Sequence, residues 1–231
     1  MTVDDRPYRQ TSDVVAETLG DVAGLKIIDL GAGTGAVTSV IASLGADVTG
    51  LEPNQALVDV ARQKCPSADF VIAPAELTGL ESGTYDVAVF SMSLHHSSDM
   101  DAAICEARRI VKPGGRILVI EPESEDPMAP VMRFIDDESR VLMSAQKALA
   151  NAVSVRDLDW VEVKRYWQKY RVASPQEMID DLTSIDSTRA LKQTDRGAFD
   201  VAFASALAHD DQGPYLPFWC RADLFACKSA A

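Results

Sequence analysis

Ile27-Ile28-Asp29-Leu30-Gly31-Ala32-Gly33-Thr34-Gly35-Ala36 is the stretch whose reading decides the fold. An apolar run ends at Leu30, three glycines follow at alternate positions, and an amphipathic segment starts at Ala36. A glycine-rich turn between a strand and a helix lets a ligand approach the backbone where no side chain intervenes, and it aims the helix N-terminus at that ligand. By itself the turn is ambiguous, because Gly31, Gly33 and Ala36 also satisfy the looser dinucleotide pattern GxGxxA. Its surroundings discriminate more.

Outward from this turn, strand-length apolar runs alternate with helix-length amphipathic segments. Strands are expected at 25–30, 47–51, 69–73, 85–91 and 116–121, and helices at 36–44, 55–64 and 99–111. Nearly continuous Val/Ile/Leu strands separated by helices indicate a parallel sheet covered on both faces, hence a doubly wound α/β fold. The alternation stops at Pro122. Residues 123–150 are acidic and then helical, with Met128, Val131, Met132, Ile135, Val141, Leu142 and Leu149 at helical spacing. Beyond them 160–172 alternates like a strand, Ser174-Pro175 with Glu177 opens a helix, and 216–227 reads as a closing strand. A single domain over 1–231 is expected, with 123–150 as a helical insertion.

Composition narrows the function. The chain has 231 residues, 22 basic against 35 acidic side chains, a formal charge of −13, and 47% hydrophobic and 25% charged residues. These proportions exclude a disordered tail, a collagen-like chain and a disulfide scaffold. The acidity argues against nucleic acid and anionic membrane, which are bound by clustered Lys and Arg. The leader MTVDDRPYRQTSDVV lacks a secretory pattern, and no run of about 18 apolar residues occurs. A cytoplasmic protein without membrane insertion is expected, as a monomer or homodimer. Cys65, Cys105, Cys220 and Cys227 have neither CxxC spacing nor suitable histidines, so they read as buried packing thiols, and no metal site is expected.

The company of the glycine turn is specific. Asp29 precedes the first glycine by two residues, and the second strand ends in Gly50-Leu51-Glu52-Pro53-Asn54. An acid at that distance can accept two hydrogen bonds from a ribose diol. The third strand runs towards Ala75-Glu76, the fourth into Ser91-Met92-Ser93-Leu94-His95-His96, and Lys112-Pro113-Gly114-Gly115 introduces the fifth. In these motifs, over about 25–122, the chain resembles the class I S-adenosylmethionine (SAM)-dependent methyltransferases, particularly the small-molecule group with the ubiquinone/menaquinone methyltransferase-like signature. The resemblance implies a Rossmann-like sheet of about seven strands in the order 3-2-1-4-5-7-6, mostly parallel, the last strand antiparallel, with a helical insertion or lid after strand five. It also implies SAM as cofactor and a small-molecule acceptor. Gly31, Ala32, Gly33 and Gly35 would surround the methionine portion, and Asp29 would fix the turn and the ammonium. Glu52 would hold the ribose, Pro53 and Asn54 would lie beside the adenine, Ala75 and Glu76 near its amine, and Ser91 and Met92 near the methionine. Tyr8, in the leader, would fold over the cofactor.

Methyl transfer displaces an activated leaving group supplied by the cofactor, so the protein needs a general base only for a protonated, weakly nucleophilic acceptor. His95 and His96 are the candidates; the competing possibility is a turn into a helix capped near Asp99. A SAM-consuming cyclase or lyase, a non-catalytic SAM-binding regulator and an NAD dehydrogenase are the rival functions. The basic run Lys164, Arg165, Lys169, Arg171 suggests a solvated strand face or an anion subsite. Tyr166, Trp167, Tyr170, Tyr215, Phe218 and Trp219 suggest core or an acceptor pocket. His209-Asp210-Asp211 reads as a loop.

Overall fold

The computed structural model describes residues 6–155, 157–185 and 189–229. The first five residues of the leader lie outside them. In chain order come α1 (Thr11–Leu19), β1 (Lys26–Leu30), α2 (Ala36–Ser43), β2 (Asp47–Leu51), α3 (Gln55–Lys64), β3 (Asp69–Val71), β4 (Tyr85–Ser91), α4 (Met100–Ile110) and β5 (Val111–Pro122). They are followed by α5 (Ala129–Met132), α6 (Ser139–Val155), β6 (Leu158–Arg171), α7 (Pro175–Ile185), α8 (Arg196–Ala206), β7 (Ala208–Asp210) and β8 (Gly213–Cys227). The strands are hydrogen-bonded in the order β3-β2-β1-β4-β5-β8-β6, with β7 on β8. The pairings among β1 to β5 are parallel, and antiparallel strands close the sheet. The order is the one expected, with β8 in the seventh strand's place.

Differences from expectation have local causes. The sheet has eight strands because residues 208–210, expected as loop, pair antiparallel with Gly213–Tyr215 as β7. Asp210 is held there by Lys169 and Arg171, at 2.6 and 2.8 Å. β3 stops at Val71 because its partner β2 ends opposite it at Leu51. β5 begins five residues early, at Val111 beside Tyr85, and a register shift absorbs the Lys-Pro-Gly-Gly loop. A Cβ on Gly115 would lie 2.6 Å from the Asp86 carbonyl oxygen, so that loop needs glycine.

The chain divides into two compact units. The larger comprises Arg9–Glu121, Ser144–Lys164 and Arg221–Ala231; the smaller comprises Met1–Tyr8, Pro122–Met143 and Arg165–Cys220. The expected insertion 123–150 is thus divided between them, and its helical face becomes two helices, α5 and α6. In the larger unit Ile28, Leu30, Ala88, Phe90 and Val119 meet Ala103, Ile104, Ala107 and Ile110 of α4 in one apolar core. Those four α4 residues fall on one helical stripe, and Asp99 caps the helix by accepting from Ala102 N at 2.9 Å. Cys105 lies on the opposite face and is exposed, contrary to its expected burial, while Cys65, Cys220 and Cys227 are buried.

The smaller unit has its own core, in which Val131, Ile135, Val172, Met178, Leu182, Phe199, Phe203 and Leu216 cluster. Ser174 caps α7 by accepting from Glu177 N at 3.1 Å, and the Glu177 carboxylate accepts from Ala173 N at 2.6 Å. The expected Ser-Pro-x-Glu start therefore forms, with the return bond one residue earlier than in the usual capping box. No helix among the described residues is long and apolar enough to cross a membrane. Phe199 is fully buried between Phe134 and Phe203. Phe199→Ala is expected to destabilise the protein by about 3–5 kcal/mol, read as a fall in the urea midpoint; an unchanged midpoint would remove α8 from this core.

Candidate active site

Among the buried polar residues of the larger unit, Asp29, Glu52, His95 and Glu121 lie at or just beyond the carboxyl ends of β1, β2, β4 and β5. The turn after β1 is pinned from below, where Gly31 N and Ala32 N both donate to the Leu51 carbonyl, at 2.7 and 2.9 Å. Gly31 adopts φ +78°, and a Cβ there would come 2.4 Å from the Ser93 Cβ. That close approach lets the Ser93 hydroxyl donate to the Leu30 carbonyl at 2.6 Å. Gly33, at φ +53°, differs: a Cβ there would meet nothing within 4 Å, so the middle of the turn faces open space.

Three carboxylates surround this turn. Asp29, 1% exposed, accepts from the Thr38 hydroxyl at 2.6 Å and so ties β1 to α2. Burial raises its carboxyl to about 6; hydrogen bonds from the Thr38 side chain and backbone oppose the shift, and the charge of Glu52 adds to it. Glu52, 7% exposed, accepts from Gly33 N and from Asn54 N, each at 3.0 Å. It thereby joins the end of β2 to the glycine turn across nineteen residues of sequence. Each oxygen keeps lone-pair capacity after its single amide bond. Glu121, buried at the end of β5, accepts from Ser93 N at 3.2 Å and Leu94 N at 2.8 Å, and also contacts His95 Nδ1.

The expected residues are sorted by this geometry. Asp29, Gly31, Ala32, Gly33, Gly35 and Glu52 lie at or beside one turn. Pro53 and Asn54 are exposed just beyond it, and Asn54 caps α3 through Ala56 N at 2.9 Å. Ala75 is half-buried. Glu76 accepts from the Ser98 hydroxyl at 2.8 Å and from Asp99 N at 3.2 Å. Partial burial pushes its carboxyl up, but these bonds and its own backbone amide hold it below its usual value. Ser91 ends β4, and Met92, just beyond it, takes a left-handed φ of +54° that turns the chain towards Ser93. His95 is buried and His96 exposed, their rings 3.9 Å apart in a 3-10 turn over Leu94–His96.

Tyr8 belongs to the smaller unit. Its ring lies 5.0 Å from Trp167, with the Lys169 ammonium 4.5 Å from its centre. The basic run is likewise occupied: Lys164 lies 3.4 Å from Glu17, Arg165 3.4 Å from Glu123, and Lys169 and Arg171 share Asp210. Among the aromatics, Tyr166 is core, Trp167 stacks with Tyr215 at 6.1 Å, and Phe218 lines a cavity. Sequence reasoning missed Thr38, Ser93 and Glu121. Glu121 carried a signal, an acid closing the apolar strand Ile117-Leu118-Val119-Ile120; Thr38 and Ser93 carried none.

Residues 28–119 match the family described as a methyltransferase domain. The demethylmenaquinone methyltransferase of Tropheryma whipplei (strain Twist) is 29% identical over 153 residues, which cover 63% of this chain and 64% of that protein. The chain thus spans a little under two thirds of the length of the curated relatives it matches. Among solved structures, the BH2331 protein of Bacillus halodurans C-125, named as a methyltransferase, is similar with a TM-score of 0.71 at 13% identity, covering 95% of this chain and 99% of that one. The (4+2)-cyclase SpnF is similar with a TM-score of 0.58 at 19% identity, covering 100% and 89%. At such identities these two structures establish the fold alone. Residues 28–119, which match the methyltransferase domain, thus lie on a Rossmann-like fold shared with these two structures.

Proposed function

We propose that the protein is a cytoplasmic SAM-dependent methyltransferase acting on an oxygen, nitrogen or carbon of a small metabolite. One observation carries this reading: the buried Glu52 carboxylate is fastened to Gly33 N at 3.0 Å, beside a turn that leaves open space at Gly33. With an acceptor position left on each oxygen, Glu52 suits a ribose diol. Asp29 and Glu52 suit a ligand bearing a sulfonium and an ammonium, since a cation relieves the cost of burying carboxylates. Glu52 suits the ribose of either cofactor, but Asp29 beside the glycine turn opposes the pyrophosphate of a dinucleotide, which counts against a dehydrogenase. The homology to a demethylmenaquinone methyltransferase supports a small-molecule acceptor.

The cofactor supplies an electrophilic methyl group on a good leaving group. The chain's residues then orient and exclude water: Glu52 holds the nucleoside side, and the glycine turn, Asp29 and the end of β4 hold the amino acid side. We assign any proton transfer to His95 rather than His96. Glu121 beside Nδ1 selects the tautomer protonated there and leaves the basic lone pair on Nε2, as carboxylate-oriented histidines require. Glu121 is then a positioning residue.

Three measurements test this. Titration calorimetry should give SAM binding that Glu52→Ala weakens roughly tenfold or more, since charge-assisted hydrogen bonds contribute about 1.5–3 kcal/mol each. An unaltered dissociation constant would mean the ribose acid is misassigned.

Asp29→Asn should weaken SAM binding and stabilise the ligand-free protein. The wild-type carboxyl is raised from 3.8 to about 6, so the native state retains a proton that the unfolded state has released, and stability falls as pH rises through this window. The variant's advantage, about 1–2 kcal/mol once the lost Thr38 bonding is discounted, should be full at pH 8 and absent at pH 4. Melting curves with the opposite pH trend would overturn the assignment.

Finally, mass spectrometry should find S-adenosylhomocysteine formed only when acceptors are supplied. Release of methylthioadenosine from SAM alone would favour the cyclase or lyase instead. In the same assay, turnover by His95→Gln that matches wild type from pH 6 to 9 would remove the general base.

A further inference from the structure

The smaller unit carries a half-open cavity of about 110 Å³. Met128, Met132, Leu142 and Phe218 give it apolar walls, and Glu123 and Asp126 also line it. At about 30 Å³ for a water-sized group, it accommodates roughly four non-hydrogen atoms.

The two carboxylates are in different states. Glu123, 8% exposed, is bound through Oε2 by Arg6 at 3.0 Å. Its Oε1 is buried without a hydrogen bond, with the Arg165 Nε at 3.4 Å. Asp126, 9% exposed, accepts only backbone amides, from Met128 N at 2.6 Å and from Trp219 N, and no cationic side chain among the described residues pairs with it. Burial raises its carboxyl to about 7; bonds from the Trp219 and Met128 amides oppose the shift, and the charge of Glu123 adds to it. A buried carboxylate without a counter-ion calls for a cation or a proton. The apolar walls call for hydrocarbon around that charge. Five acids line the cavity against one cation, Arg133, so an anionic group is repelled, and a plain hydrocarbon leaves Glu123 and Asp126 as they are.

We propose that this cavity binds a small primary or secondary ammonium group on a short aliphatic or cyclic body, its charge facing Asp126 and an N–H reaching Glu123 Oε1. This binding is a property of the smaller unit and goes beyond the methyl-transfer reading, on which it does not rest.

The test compares propylammonium with 1-propanol, a neutral molecule of the same shape, by calorimetric titration of the full chain at pH 8 without SAM. The ammonium should bind at least tenfold tighter than the alcohol. Asp126→Asn should abolish the preference, and Met132→Phe, which narrows the cavity but keeps both carboxylates, should weaken ammonium binding at least fivefold. Should Asp126→Asn fail to fold for want of a bond to Trp219 N, Met132→Phe still decides. Equal affinities for ammonium and alcohol, or undiminished ammonium binding by Met132→Phe, would overturn the proposal. Either result leaves the SAM reading untouched, because none of the residues assigned to the cofactor lines this cavity.

Discussion

Three nearly buried carboxylates at the carboxyl ends of β1, β2 and β5 constrain the loops of the larger unit that surround them. Asp29, Glu52 and Glu121 are 1%, 7% and 4% exposed. A charge taken that far from water must be given donors or neutralised. The donors come from the loops themselves: the Thr38 hydroxyl, the Gly33 and Asn54 amides, and the Ser93 and Leu94 amides. The loops after β1, β2 and β4 therefore take the shapes that point amides at these acids. A set of acids already held by fixed dipoles is also suited to receive a cation without rearranging.

Backbone conformation carries part of the cost. Gly31 turns left-handed without a side-chain penalty, but Met92 adopts φ +54° with a full side chain, a strain of roughly 1–2 kcal/mol. The turn at Met92 brings Ser93 under Gly31, where its hydroxyl closes the end of β1. Met92 itself is held by its amide bond to the Ile120 carbonyl at 2.8 Å. Strain at this point is offset by sheet contacts on either side, as expected where a rigid scaffold supports a functional loop.

Much of the larger unit was legible because its signals are local. Five of its strands are short apolar runs, α3 and α4 begin at Asn54 and Asp99, which cap them, and the glycine spacing marks one turn. The smaller unit was less legible. Its core joins Val131, Val172, Phe199 and Leu216, residues from segments that no periodic pattern links. α8 offers only Phe199 and Phe203 as a buried stripe. The basic run was unreadable for the same reason, since Lys169 and Arg171 meet their counter-ion, Asp210, some forty residues further on.

The sequence by itself determined the strand and helix alternation, the glycine turn, and the presence of acids at fixed distances from it, because these depend on residue type and spacing along one stretch of chain. Only the tertiary structure decided what each acid does. Glu52 reaches the turn through Gly33, Asp29 reaches Thr38, Glu76 is spent on Ser98 and Asp99, and Glu121, an acid at the end of a strand, orients His95. Asp126 acquired its character in the same way, from the apolar side chains that bury it and from the absence of a cationic partner among the described residues. The charge state and partners of a carboxylate are set by the atoms that replace water around it, and those atoms come from parts of the chain that only folding brings together.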